Sequence, residues 1–251
     1  MVLTSTKHNQ AMHRMPKPPL HCGFVTGDGG RSTVREVQAM HQILVYADSL
    51  SWGIIPDTRG RFRFDQRWPG VVENALLNTG TSVRVIEDCL NGRRTVWDDP
   101  FKPGRNGREG LEKCIEINSP LSLVIMLLGT NDFQSTHNLT AWQSAQGLKS
   151  LVGAIRRAPI EPGMPVPAIV LVAPPKLQKA KGSIAPKFKG AEDKAVGLAD
   201  AIRAVAAECG CHFFDAGSVT PTSRVDGVHL DEDQHRTLGL ALAKVVQPLV
   251  Q

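Results

Sequence analysis

Five short apolar runs, rich in β-branched residues, recur at intervals of roughly 40 residues along the chain. They are Ile43 to Tyr46, Val83 to Ile86, Leu123 to Leu127, Ile169 to Val172 and His212 to Phe214. Their hydrophobicity is continuous rather than alternating, which suits strands buried on both faces of a parallel sheet. Helical stripes lie between and after them: Trp68, Val71, Val72, Leu76 and Leu77; Leu148, Leu151, Val152 and Ile155; Ala195, Leu198, Ile202 and Val205. A last stripe, Leu238, Leu242, Val245 and Leu249, follows Asp231 and Gln234, which stand at the spacing of a capping box. Strand and helix alternate, so the pattern predicts an α/β fold, a three-layer α/β/α sandwich around a five-stranded parallel sheet. No internal repeat is visible and nothing marks a second domain after residue 43. Residues 1–42 carry no such periodicity and read as an N-terminal extension ahead of a domain spanning 43–251.

Composition narrows the function classes. The chain has 251 residues, 41% hydrophobic and 21% charged, an ordinary globular balance. No apolar stretch approaches the roughly 18 residues of a membrane span, and Met1 to Pro19 has basic residues with no apolar run behind them, unlike a secretory signal. The net charge of +5 has one cluster, Lys176, Lys179, Lys181, Lys187 and Lys189, interleaved with Gly182 and Pro186. That reads as a solvated loop, so neither nucleic acid nor a membrane is expected as a partner. Five scattered cysteines argue against a disulfide framework and for a reducing, cytoplasmic setting. Cys209 and Cys211 lack the second pair a zinc site needs. Gly27-Asp28-Gly29-Gly30 resembles a phosphate loop only faintly, with Ser32 where a glycine is required and no strand before it. No metal and no cofactor are expected.

In a doubly wound parallel sheet, ligands gather at the carboxyl ends of the strands. Ser49 follows the first run, Gly92 the second and Asn131 the third, while Asp226 and His229 follow the fifth. This set matches the needs of acyl transfer. A serine hydroxyl is a poor nucleophile until an imidazole takes its proton, and the imidazole needs a carboxylate to fix its tautomer. Backbone amides of Ser49 and Gly92 and the side-chain amide of Asn131 can supply an oxyanion hole. Asp48, Leu50, Trp52 and Val228, flanking these groups, are candidates to line the substrate pocket. Each part has a plainer reading alone: Asp48-Ser49 as a helix N-cap, Gly129 to Asp132 as a turn, His229 as a surface histidine. What points to chemistry is their arrival together, in order, at strand ends. His137, His212 and His235 lack an acid at matching spacing and read as structural or surface residues.

These segments resemble the sequence blocks of the GDSL (SGNH) hydrolase superfamily, and specifically its bacterial arylesterase/acyltransferase branch. The likeness is carried by Asp48 to Gly53, Gln66-Arg67-Trp68, Leu90 to Arg93 with Asp98-Asp99-Pro100, Leu128 to Asp132 and Phe213 to Ser218, and it covers the chain from about Ile43 onward. It implies a flavodoxin-like SGNH fold, Ser49 as nucleophile, His229 as base, Asp226 as its orienter, and Ser49, Gly92 and Asn131 as oxyanion hole. It further implies a small-molecule ester as substrate and a homo-oligomer. The expected activity is hydrolysis of short-chain carboxylic or aryl esters through an acyl-enzyme, with acyl transfer to alcohols. A carbohydrate acetylesterase is the alternative within the enzymes, and a non-catalytic binding module outside them. Two positions depart from the family pattern. Ala47 stands where the first block usually has glycine, and Phe133 and Gln134 stand where a basic residue is common.

Overall fold

The computed structural model describes residues 40–58 and 60–250. Five strands, β1 (His41–Ala47), β2 (Val83–Cys89), β3 (Leu123–Leu127), β4 (Ala168–Ala173) and β5 (His212–Asp215), form one sheet in the order β2-β1-β3-β4-β5, with every pairing parallel. Each expected strand is present, extended by up to three residues at its ends. β1 begins two residues before the expected domain boundary at residue 43. The expected extension, apart from residues 40–42, lies outside the described residues, as does the glycine-rich segment at 27–30.

Alternate residues of the central strands enter two separate cores, the consequence of period-two side-chain alternation in a sheet covered on both faces. Leu44, Tyr46, Val124 and Met126 point to one side. There they meet α3 (Leu111–Asn118), α4 (Ala141–Arg156) and α6 (Leu198–Cys209) through Leu111, Ile115, Leu148, Leu151, Ile202 and Val205. Ile43, Val45, Ala47, Ile125 and Leu127 point to the other. They pack on α2 (Trp68–Asn78) and α7 (Glu232–Val246) through Trp68, Val72, Leu76, Leu238 and Leu242. Among the described residues there are also two four-residue helices, α1 (Ser49–Trp52) and α5 (Ala191–Lys194).

Local chemistry explains the helix limits. Pro69 sits in the first turn of α2, where its missing N–H costs nothing. At α7 the Gln234 side chain accepts the Asp231 N–H at 2.8 Å, at the expected capping box. Leu249 falls outside α7, in a 3-10 turn entered through Pro248, which cannot continue the helix. Ala195 likewise lies between α5 and α6 rather than in the third stripe's helix.

Candidate active site

The loops that follow β1, β2 and β3 are bound to one another by buried hydrogen bonds. Asp48 caps α1, its Oδ1 accepting the Leu50 N–H at 2.9 Å, so Ser49 is the first helical residue. A first-turn N–H has no acceptor within its own helix, which leaves that of Ser49 available to a ligand. Gly53 closes α1 at φ 83°, and a side chain there would lie 2.3 Å from Arg67 Cδ. After β2 the chain turns through Gly92, whose φ of 85° is strained for any residue with a Cβ.

Arg93 clamps this turn to β1. Its guanidinium donates to the carbonyls of Ala47, at 2.9 Å, and of Asp88, and to the Asp88 carboxylate at 2.6 Å. It also stacks 3.9 Å over the Tyr46 ring. After β3, Asn131 Nδ2 donates to Asp48 Oδ2 at 3.0 Å and to the Arg93 carbonyl at 3.1 Å. Its Oδ1 accepts from Gln134 Nε2 at 2.6 Å, and Gln134 Oε1 in turn accepts from Arg94 at 2.8 Å. Arg94 ends the chain beside Asp99, 3.5 Å away. Burial drives the Asp48 carboxyl up to about 7, against the lowering effects of the Leu50 N–H, Arg93 and Asn131.

The fourth contributor is the loop before α7. Asp226 Oδ1 accepts the N–H groups of Val228 and His229, both at 2.9 Å, and its Oδ2 lies 2.6 Å from His229 Nδ1. His229 Nε2 stands 3.2 Å from Ser49 Oγ. Burial on its own would raise the Asp226 pKa. The His229 hydrogen bond and charge, with the two backbone N–H groups, outweigh it and hold the carboxyl below its ordinary value. The carboxylate therefore stays ionised and keeps the Nδ1 proton on the imidazole, leaving Nε2 free to accept from the hydroxyl. A hydroxyl, a base and a fixed tautomer thus form one hydrogen-bonded line.

Ser49, Gly92, Asn131, Asp226 and His229 all border one cavity of about 440 Å³, a volume that accommodates a small organic ligand. Of the four residues expected to line it, only Trp52 does. Asp48, Leu50 and Val228 are buried behind it: Asp48 is committed to Leu50 and Asn131, while Leu50 and Val228 belong to the two cores. Their backbone neighbours face the cavity, and the local turn sends their own side chains inward. The remaining wall comes from three surface loops, through Ile54, Asp57 and Thr58, through Lys102, and through Ser183, Ile184, Lys187 and Phe188. All five lysines of the expected solvated cluster are exposed, but Lys187 also faces the cavity. Nothing in the sequence pattern marked it.

The histidines set aside in the sequence occupy other places. His235 is fully buried against Phe62, and burial, ahead of the charges of Arg67 and His229, pushes its pKa down to about 3. It stays neutral at all ordinary pH. Ala47 lies in β1, and among the described residues only Asp57, apart from glycines, has a positive φ, so the site requires no glycine at position 47. Phe133 fills the core, and Gln134 holds Asn131. Among the described residues no three His, Cys, Asp or Glu side chains gather as metal ligands, and no helix is long and apolar enough to cross a membrane.

Comparison with known proteins bears on the family and the fold. Residues 48–237 match the GDSL-like lipase/acylhydrolase family. An arylesterase from Vibrio mimicus is 32% identical over 95 residues, which span 38% of this chain and 40% of that protein. Among solved structures, the aryl esterase of M. smegmatis in its inhibitor-bound form is 38% identical, with a TM-score of 0.79, over 83% of this chain and 99% of that one. A carbohydrate acetylesterase family member from Sinorhizobium meliloti is 36% identical, with a TM-score of 0.78, over 84% and 99%.

Proposed function

Since the chain belongs to the GDSL-like lipase/acylhydrolase family and is accordingly a carboxylic ester hydrolase, we propose that it cleaves small esters through an acyl-enzyme on Ser49. The observation that carries this reading is the line Ser49 Oγ, His229, Asp226, with contacts of 3.2 and 2.6 Å. His229 Nε2 takes the hydroxyl proton as Ser49 Oγ attacks the ester carbonyl, and Asp226 stabilises the imidazolium that forms. The N–H groups of Ser49 and Gly92 donate to the developing oxyanion, and the Asn131 amide joins them by turning one of its two N–H bonds away from the Arg93 carbonyl while the other keeps Asp48. The imidazolium then gives its proton to the leaving alcohol. In the second half His229 activates water, which attacks the acyl carbon, and Ser49 leaves with its proton restored. An alcohol taking the place of that water yields acyl transfer.

The domain carrying this chemistry begins at β1, and residues before it hold none of the proposed groups. Cytoplasmic location is supported by the cysteines, of which Cys89, Cys114, Cys209 and Cys211 are free thiols. A homo-oligomer follows from family resemblance alone.

Hydrolysis of a chromogenic ester series by wild type and Ser49→Ala, with fluorophosphonate labelling, tests the reading. We expect an adduct on Ser49 and a loss of at least about 10⁴-fold in kcat for the variant, with an unchanged melting temperature. A variant that keeps more than a few per cent of wild-type kcat would overturn the assignment.

A further inference from the structure

Charge is unevenly distributed around the cavity. Lys102 and Lys187 reach it from separate loops, while Asp57 is the sole carboxylate outside the Asp226–His229 pair among its described lining residues. Asp57 packs against the 182–188 loop, its Oδ1 standing 2.5 Å from where a Cβ on Gly182 would lie. A third cation flanks the turn at Gly92, where an added Cβ would meet Arg105 Cδ at 3.7 Å and Nε at 3.8 Å. Arg105 donates from Nε and Nη1 to the carbonyls of Asn91, Pro103 and Gly104, contacts to neutral groups that leave its charge in place. Arg94 and Asp99, by contrast, offset one another. Partial burial is the main cause that lowers the Lys187 pKa; Asp99, the strongest charge acting on it, pulls the other way, and Lys102, Arg94 and Arg105 add to the lowering. Three cations, Lys102, Arg94 and Arg105, act on Lys187 against the one carboxylate of Asp99, and an anion bound there would offset them. The outer loops carry Lys102, Lys187 and Arg105 against Asp57, and a local excess of one sign of charge concentrates ligands of the other.

We propose that the preferred ester carries a negatively charged group, in its simplest form a carboxylate, held by Lys187 and Lys102 at the mouth of the cavity while the ester carbonyl meets Ser49. The inference rests on the hydrolase reading above and names the substrate class for that same site. The anion sits on the outer loops, and the oxyanion of the reaction forms at Ser49, Gly92 and Asn131, so two negative charges are served by two separate sets of donors.

The test uses two matched ester pairs with the full-length protein. In one the charge is on the leaving group, 4-acetoxybenzoate against 4-acetoxybenzamide. In the other it is on the acyl group, phenyl hydrogen glutarate against phenyl valerate. Every kcat/KM is divided by the hydroxide-catalysed rate of the same ester to remove intrinsic reactivity. In at least one pair the anionic ester should be favoured by about tenfold, the scale of a hydrogen bond to a charged group. The preference should shrink at 1 M salt, where screening acts within about 3 Å. Lys187→Gln and Lys102→Gln should each cut the anionic-to-neutral ratio severalfold, through KM rather than kcat. Equal turnover within both pairs would overturn the inference alone, as would a ratio that neither lysine variant changes while both melt at the wild-type temperature. No turnover of any of the four esters would sink the hydrolase reading, and this inference with it.

Discussion

The inner wall of the cavity follows β1, β2, β3 and β5 and is cross-linked by buried polar groups, whereas the outer wall comes from loops whose tips face water. On the inner wall Asp48, Asn131, Gln134 and Arg94 are each at most 2% exposed and joined end to end. On the outer wall Asp57, Thr58, Lys102, Ser183 and Lys187 are exposed. The 182–188 loop is anchored by buried Phe188 and by the Ser135 N–H and hydroxyl, which donate to the carbonyls of Lys187 and Pro186 at 2.8 and 3.0 Å. The contrast separates two demands. Groups that act on the reacting atoms need fixed positions, since electrostatic stabilisation of a transition state depends on donors already in place. Groups that select a ligand need reach, and long side chains in water supply it.

Breaking the inner wall should therefore cost kcat, and the largest such effect in this comparison is expected at Asp226. In Asp226→Asn the side-chain oxygen remains fixed by the N–H groups of Val228 and His229. The new amide nitrogen then faces His229 Nδ1, which must accept, and the imidazole proton is forced onto Nε2 opposite Ser49. The base is lost by tautomer rather than by geometry. Trypsin offers the precedent for this substitution, a loss of about 10⁴-fold, and a similar loss in kcat is expected here at neutral pH. A variant within tenfold of wild type in steady-state kinetics would mean that Asp226 only shapes the turn.

Next in size is Asn131→Ala, which removes one proposed oxyanion donor and the amide that holds Asp48. We expect kcat to fall by about 10²–10³-fold, with a lower melting temperature because the Asp48 carboxylate loses a buried partner. The matching change on the outer wall is Thr58→Ala, which deletes contacts to Ile55 and Gly60 within its own loop. It should leave kcat within about threefold. Comparable kcat losses from both variants would erase the distinction between the walls.

The same contrast explains what the sequence reveals. The proposed catalytic set, Ser49, Gly92, Asn131, Asp226 and His229, is legible because the chemistry proposed for it restricts residue type, and the ends of parallel strands restrict place. The central strands β1, β3 and β4 are legible because both their faces are buried. Lys187 and Lys102 lie on loops without periodicity, where a lysine at a cavity mouth reads like any solvated lysine. The Arg94–Gln134–Asn131 chain joins residues 40 apart in sequence, and no local pattern encodes such a pairing. Helix α3 escapes for a local reason. Gly110, at φ 75°, stands at its N-cap in place of a side chain that accepts a hydrogen bond, and Leu111 and Ile115 are its only buried residues.

The smallest expected effect concerns Ala47, which joins the two walls' foundations without facing either. It is fully buried among Val45, Leu50 and Leu127 in the core beneath the site. Its carbonyl accepts from the Leu90 N–H at 3.0 Å and from Arg93 at 2.9 Å. Ala47→Gly restores the residue common at the first block of the family. With no positive φ to relieve, glycine offers only more freedom to the unfolded chain, worth about 0.4–1 kcal/mol, and the loss of a buried methyl, worth about 0.8 kcal/mol. Both act in the same direction, so chemical denaturation should show a loss of about 1–2 kcal/mol. Because the methyl points into the core and not into the cavity, kcat/KM should change by the same factor for acetyl, butyryl and hexanoyl esters. A gain confined to the longer acyl chains would show that position 47 shapes the cavity after all, and that the inner wall extends one residue further back into β1.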